Sequence, residues 1–202
     1  MKMKFFLVTC LLLFARGCDF YSTSLWFSDN PTGEQNPLYK YFGVGWTGLI
    51  LVNILIVGSI IYCFYYYTFK YSIDSVHTKP TKLTRYISER YFNEGGRFYQ
   101  ILYRTPKNKK VILGHLGYVM IRTTILASFL ATIHNLCQFY NVSFYNLFRN
   151  MVGRPLYVIY GLIFTSLIFF LFRIWRNEYN IARKVFDKNF AESRFANNAI
   201  EQ

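Results

Sequence analysis

Histidine, acidic residues and patterned cysteine are all scarce in this chain. Three His among 202 residues leave little room for a metal enzyme. The four cysteines, Cys10, Cys18, Cys63 and Cys137, form no CxxC pair, and Cys10 and Cys63 sit inside apolar runs. Neither a disulfide framework nor a zinc site is expected from them. HExxH, GxSxG, Walker A and GxGxxG patterns are absent. The spacing of an Arg four to six residues before a His, used by HEPN-type ribonucleases, is absent too, since Arg104 and Arg122 lie too far before His115 and His134. The expectation is a protein that is not an enzyme, with no catalytic residue, no metal and no cofactor.

Charge is also thin, at 16% of residues, against 53% hydrophobic and 21% aromatic, with a mean hydropathy of +0.17. A soluble domain disperses its apolar residues by periodicity, whereas here they fall into four long blocks. The blocks run over about residues 5–27, 42–69, 111–139 and 156–175. Each is near or above the roughly 20 residues a helix needs to cross a bilayer core. Trp26, Trp46, Tyr65, Tyr66, Tyr67, Tyr140 and Trp175 crowd the block ends, as an interfacial aromatic belt requires. The fold class expected is an all-α membrane protein with four transmembrane helices and a basic cytoplasmic loop between the second and third.

Basic residues set the orientation. Lys2 and Lys4 precede the first block, and Lys70, Lys79, Lys82, Arg85, Arg90, Arg97, Arg104, Lys107, Lys109 and Lys110 fall between the second and third. Arg173, Arg176, Arg183, Lys184, Lys188 and Arg194 lie at the end of the last block or in the tail, while Lys40, Arg149 and Arg154 alone fall on the opposite side. The positive-inside rule then puts both termini and the central loop in the cytoplasm of a multi-pass protein of the cell membrane. A net charge of +13 adds attraction to anionic headgroups. The richness in Lys, Asn, Ile, Phe and Tyr fits an AT-rich genome and a bacterial inner membrane. An alternative for the first block is a signal peptide, since MKMK precedes an apolar run and Ala15-Arg16-Gly17-Cys18 has some likeness to a lipobox. Arg16 fits that motif poorly, and the apolar character continues to Phe27. The domain organisation expected is one membrane domain over 1–202, with a cytoplasmic loop at 70–110 and a cytoplasmic tail at 176–202.

The central loop is too long for a mere connection. Pro80 would open a short helix with Leu83, Ile87 and Tyr91 on one face, and Gly95-Gly96 would end it. The stretch RFYQILYR, the turn-like TPKNKK and VILG then read as a small hairpin or as an interfacial segment. The tail reads as an extension of the last helix, with Tyr179, Ala182, Phe186 and Phe190 near one face.

Polar groups inside a span are costly and call for partners. Arg16 and Asp19, three apart on the first helix, come to a similar depth as Asn53 of the second span and Arg122 of the third. They are expected to form a buried polar network, either a clamp between helices or part of an ion route. Asp19 flanked by two arginines is a poor proton relay, because the bases hold it ionised. A second, outer cluster is expected from Thr23, Glu34, His134 and Asn135. Asp19, Glu34 and His134 are three unlinked potential metal ligands, and the plainer reading of Glu34 is a cap on an Asn36-Pro37 turn.

Asp19, Thr23, Glu34, Asn36, Pro37 and Leu38 together resemble the first hairpin of a family of small bacterial multi-span membrane proteins of unknown function. The resemblance covers about the first 40 residues and implies no activity. In size and span number alone, the chain resembles accessory membrane proteins that accompany some type VI CRISPR effectors. In the central loop, Arg85, Arg90, Arg97 and Arg104 alternate with Tyr86, Tyr91, Phe98, Tyr99 and Tyr103. Such a pattern grips single-stranded nucleic acid in some proteins, but beside a membrane it more often meets headgroups or a protein. The partners expected are membrane lipids and either further copies of the chain or other membrane proteins, rather than nucleic acid. The function expected is a non-enzymatic accessory or assembly protein, oligomeric and acting through contacts. The alternative is a small self-assembling pore, including one that serves a defence system.

Overall fold

One long helix organises the others. The computed structural model describes residues 1–26, 43, 45–73, 82–92 and 97–200, with side chains to residue 188. Its regular elements are all helical: α1 (Lys2–Ser24), α2 (Trp46–Tyr65), a π-helical turn (Tyr66–Lys70), α3 (Leu83–Phe92), a 3₁₀ turn (Phe98–Leu102), α4 (Lys109–Phe139), α5 (Ser143–Val152) and α6 (Pro155–Ile200). The helices α1, α2 and α6 pack chiefly against α4. Arg16 and Thr23 of α1 meet Ser128 and Asn135 of α4, so these two helices run parallel. Residues 63 and 64 of α2 approach Gly117, whereas Asn53 lies at the Arg16 and Ser128 level, so α2 runs antiparallel to α4. Glu178, well along α6, meets His115 near the start of α4, so α6 also descends. The four long helices thus alternate in direction.

Three helical segments are long and apolar enough to cross a membrane: 46–70, 109–139 and 155–188. The fourth span expected from the sequence corresponds to α1, which is not one of these three. Its apolar run, Phe5 to Ala15, is followed by Arg16 and Asp19 in the second half of the helix. Its 23 residues would extend about 34 Å. Phe6, Leu7, Leu13 and Phe14 face outward, and Leu12 and Ala15 are fully buried against the neighbouring helices.

The bundle has two apolar cores. Leu12, Ile60, Phe64 and Ile121 join α1, α2 and α4 near mid-length. Tyr86, Ile87, Tyr91, Phe92, Val111, Tyr118, Val119, Ile174, Trp175 and Ala182 form the other, which joins α3, the start of α4 and the extension of α6. The second core explains why the central segment is more than a connection. On α3, Ile87 and Tyr91 are buried and Leu83 packs against the core, the face expected from their spacing. The segment after it is not a hairpin: Phe98 and Ile101, three apart, turn toward the core from a single 3₁₀ turn. The backbone N–H groups of Lys107 and Asn108 donate to the Tyr91 carbonyl at 2.9 and 3.1 Å, which ties the end of α3 to the start of α4. Asn108 then caps α4 by accepting from the Val111 N–H at 3.4 Å. Pro80, Gly95 and Gly96 lie outside the described residues. The last helix continues past Trp175 without a break, burying Ala182 and packing Tyr179.

Gly114 and Gly117 let α2 and its π turn close on α4. A Cβ on Gly114 would stand 2.7 Å from the Tyr71 ring, and one on Gly117 would overlap the Cys63 carbonyl and lie 2.8 Å from the Phe64 nitrogen. Small residues at such a crossing are how helices in lipid gain packing, where no hydrophobic drive separates helix from solvent. A Cβ at Gly161, in contrast, meets nothing within 4 Å. Gly117→Ala should therefore lower stability by about 1–3 kcal/mol through overpacking against backbone. Gly161→Ala should be neutral or slightly stabilising. Thermal melting of both variants in one detergent reads the difference, and equal melting would refute the close approach at Gly117.

Candidate functional site

Polar side chains come together at three depths along α4, marked by His115, Ser128 and Asn135. By helical rise these stand about 20 Å and then about 10 Å apart. Each level binds α4 to a different set of neighbours.

The middle level centres on Arg16. Its guanidinium donates to Asp19 Oδ2 at 2.6 Å, to Ser128 Oγ at 3.3 Å and to Asn53 Oδ1. Asn53 in turn donates to the Leu49 carbonyl of its own helix at 2.9 Å. One cation thereby engages α1, α2 and α4 together. Of the residues expected in this network, the structure brings Arg16, Asp19 and Asn53 together and adds Ser128. Arg122 does not join them. Its guanidinium donates to the Tyr118 carbonyl at 2.7 Å and lies 3.7 Å from the centre of the Tyr118 ring. Helical side chains lean toward the N-terminus, so Arg122 points back one turn, away from Ser128. Carbonyl and ring faces satisfy it without a carboxylate.

At the outer level, Asn135 Nδ2 donates to Ser22 Oγ at 3.2 Å and to Thr23 Oγ1 at 3.1 Å. The Trp26 indole N–H donates to the Asn135 carbonyl at 3.3 Å. His134 pairs through Nδ1 with the Tyr145 hydroxyl of α5. Of the cluster read from the sequence, Thr23 and Asn135 meet, His134 is bonded separately, and Glu34 lies outside the described residues. No group of three potential metal ligands occurs among the described residues.

The third level, at the α3 end of the bundle, has no counterpart in the expected sites. Trp175 Nε1–H can only donate, and it reaches the Tyr91 oxygen at 3.2 Å. Tyr91 then gives its hydrogen to His115 Nδ1 at 2.6 Å. That assigns the histidine proton to Nε2, which donates to Glu178 Oε1 at 2.8 Å. Tyr71 also donates to Glu178 Oε1, at 2.7 Å, and accepts from Arg90 at 3.0 Å. Arg90 Nε stands 4.0 Å from Glu178 Oε2. The His115, Glu178 and Arg90 side chains are only 4%, 5% and 10% exposed. Burial pushes the Tyr91 phenol up to about 12. Burial, with the Glu178 carboxylate beside it, raises Tyr71 well above the ordinary range. Both phenols therefore stay protonated at neutral pH and remain donors.

This cluster joins α3, α4, α6 and the segment after the π turn. One sequence signal for it exists. Glu178 shares the inward face of α6 with Trp175 and Ala182, at spacings of three and four, and an acid on an apolar face calls for a buried partner. Nothing in the sequence spacing shows that the partner is His115, 63 positions away.

A cavity of about 960 Å³ opens between α1, α2, α4 and α6 in the half of the bundle away from α3. Its floor is the Arg16, Asp19 and Asn53 level, and Trp26, Trp46, His134, Asn135, Arg149 and Arg154 stand higher on its wall. Below the floor the chain is filled by the apolar core of Leu12, Ile60, Phe64 and Ile121. The His115 and Glu178 cluster has no share in the cavity lining. That cluster ties four segments of the chain together as a clasp.

Tyr91→Phe tests the clasp. It leaves His115 Nδ1 and Trp175 Nε1 without their hydroxyl partner, at a cost of about 1–3 kcal/mol. The expected result is faster tryptic cleavage after Arg85 in detergent, as α3 loosens. Tyr103→Phe, at a residue 69% exposed, should cleave like the unaltered protein. Comparison with known proteins adds no residue to these clusters, for no family model, no curated protein and no solved structure matches the chain.

Proposed function

We propose that the chain is a four-span membrane protein, with both termini and the segment around α3 in the cytoplasm, that works without catalysis as an accessory or assembly protein. The observation that carries this reading is how the charged and apolar surfaces are distributed. The charged groups of the buried clusters are engaged by partners on neighbouring elements, which leaves contact surfaces as the chain's main resource. Outward-facing Leu51, Ile54 and Leu55 of α2, and Tyr157, Phe164, Phe169 and Phe172 of α6, suit lipid or another membrane helix. On the α3 side, Arg97 donates to the Tyr99 hydroxyl at 3.1 Å beside the exposed ring of Tyr103. These residues form a basic aromatic patch suited to a protein partner or to headgroups.

The alternation of α1, α2, α4 and α6 supports four spans with the termini on one side. Basic residues gather at that same end. The second reading, a pore made by self-association, draws on the outer cavity. An apolar core lies beneath its floor, so this reading puts the conduction path between copies.

Two measurements on reconstituted protein separate these readings. With the native cysteines replaced, a cysteine at Lys107 or near the C-terminus should label only from the cytoplasmic side, and one at Asn146 only from outside. Labelling of Lys107 and Asn146 from the same side would end the four-span topology. Planar bilayers containing the purified oligomer should stay electrically silent under voltage. A conductance that Arg16→Gln alters in selectivity would replace the accessory reading with the pore.

A further inference from the structure

The outer cavity has a composition that a contact protein does not need. Among the described residues its lining holds Arg16, Arg149 and Arg154 against a single acid, Asp19. Asp19 is already paired with Arg16 at 2.6 Å. The Arg154 side chain donates to the Tyr157 hydroxyl at 3.1 Å and stands over that ring, and it has no ion pair among the described residues. No ion pair of Arg149 occurs among the described residues, and both Arg149 and Arg154 are exposed. Among the described residues its mouth is therefore cationic, and its volume is at the upper end of the roughly 300–1,000 Å³ of ordinary ligand pockets.

The walls differ by depth. Leu156, Ile159 and Ile163 line the α6 side, spaced three and four apart, and form an apolar strip leading from the arginines toward mid-bundle. Among the described residues, α1 and α2 form no extended contact with α6, which leaves the cavity between them. The level of its mouth is marked independently by α5. Phe144, Leu147 and Met151 lie on one outward face of that helix, 80%, 62% and 81% exposed, while Arg149 on the other side lines the cavity. An amphipathic helix with such a face lies at the boundary of headgroups and acyl chains. Trp26 and Trp46, also in the lining, are typical of the same depth.

We propose that this cavity binds an anionic phospholipid, which enters sideways from the outer leaflet. Its phosphate is held by Arg149 and Arg154, and an acyl chain follows the Leu156, Ile159 and Ile163 strip. Arg16 at the floor keeps Asp19 neutralised, so the acid does not repel the headgroup. The site rests on the membrane reading above, but cysteine labelling tests that topology separately from any lipid preference.

The experiment uses the full-length chain purified in a mild detergent and exposed to equal amounts of phosphatidylglycerol and phosphatidylcholine, with retained lipid measured by native mass spectrometry. Phosphatidylglycerol should be retained preferentially. Each of Arg149→Gln and Arg154→Gln should reduce that preference by about fivefold, from the usual worth of one basic residue near an anionic membrane. Ile159→Trp, which fills the acyl strip and leaves the charges in place, should reduce retention of both lipids. The pair Arg85→Gln and Arg97→Gln, on the α3 side, should leave the preference unchanged. Equal retention of the two lipids by the unaltered protein would overturn the proposal, as would loss of preference in the α3-side pair alone. Inorganic phosphate is the third arm. If it displaces phosphatidylglycerol at millimolar concentration and binds equally well in the Ile159→Trp variant, the site takes a free anion and the lipid assignment fails.

Discussion

A guanidinium at the middle of α1 has to be accommodated, and the neighbouring helices are placed by that need. Arg16 is 22% exposed and Asp19 16%, so neither charge is freely hydrated. Removing one member of a buried pair costs far more than the pair itself contributes, because the remaining charge keeps its desolvation penalty. Asp19 supplies the counter-charge from the next turn of the same helix, but Asn53 and Ser128 can reach the guanidinium only if α2 and α4 stand at one particular height. The apolar contacts of Leu12, Ile60, Phe64 and Ile121 join the same three helices. Apolar packing alone would tolerate a slide of one turn, whereas a cation with directional donors does not.

The same principle recurs where α3 joins the bundle. His115 and Glu178 fix α6 against α4, and Tyr71, Arg90, Tyr91 and Trp175 bring the π turn and α3 to the same point. Both clusters place donors opposite a carboxylate and add neutral groups as further partners. The two differ in setting. The Arg16 level forms the floor of an open cavity, whereas the Glu178 cluster is enclosed by aromatic side chains. This contrast leaves the Arg16 half of the bundle open to a cavity and the half beside α3 packed against itself.

Much of the helical framework was legible because long apolar blocks and the face spacing of residues 83, 87 and 91 depend on local pattern. Arg16 and Asp19 were legible as partners because they are three apart on one helix, and Asn53 because an amide within an apolar block must find a partner. Arg122 shows where this reasoning stops. Depth estimated from position in a block ignores the backward lean of a helical side chain and the capacity of a carbonyl and a ring to hold a guanidinium. The Phe98 to Leu102 segment was open to a hairpin or an interfacial reading, since its aromatic and branched residues suit a pleated surface equally well. Packing on Trp175, with ring centres 5.6 Å from Phe98, decides the matter, and that contact is invisible locally. The His115 and Glu178 pair was out of reach for the same reason: it is formed by tertiary folding across 63 positions.

The dependence of the bundle on Arg16 is tested most directly by comparing Asp19→Leu with the double variant Arg16→Leu and Asp19→Leu, each melted in the same detergent. The single change leaves a guanidinium without its counter-charge and should cost about 3–5 kcal/mol. The double change removes both charges and leaves Asn53 and Ser128 neutral, so it should melt clearly above the single variant. A double variant that melts below Asp19→Leu, with the separate losses of Arg16→Leu and Asp19→Leu simply adding, would show that the two residues act independently and that Arg16 does not set the helix positions.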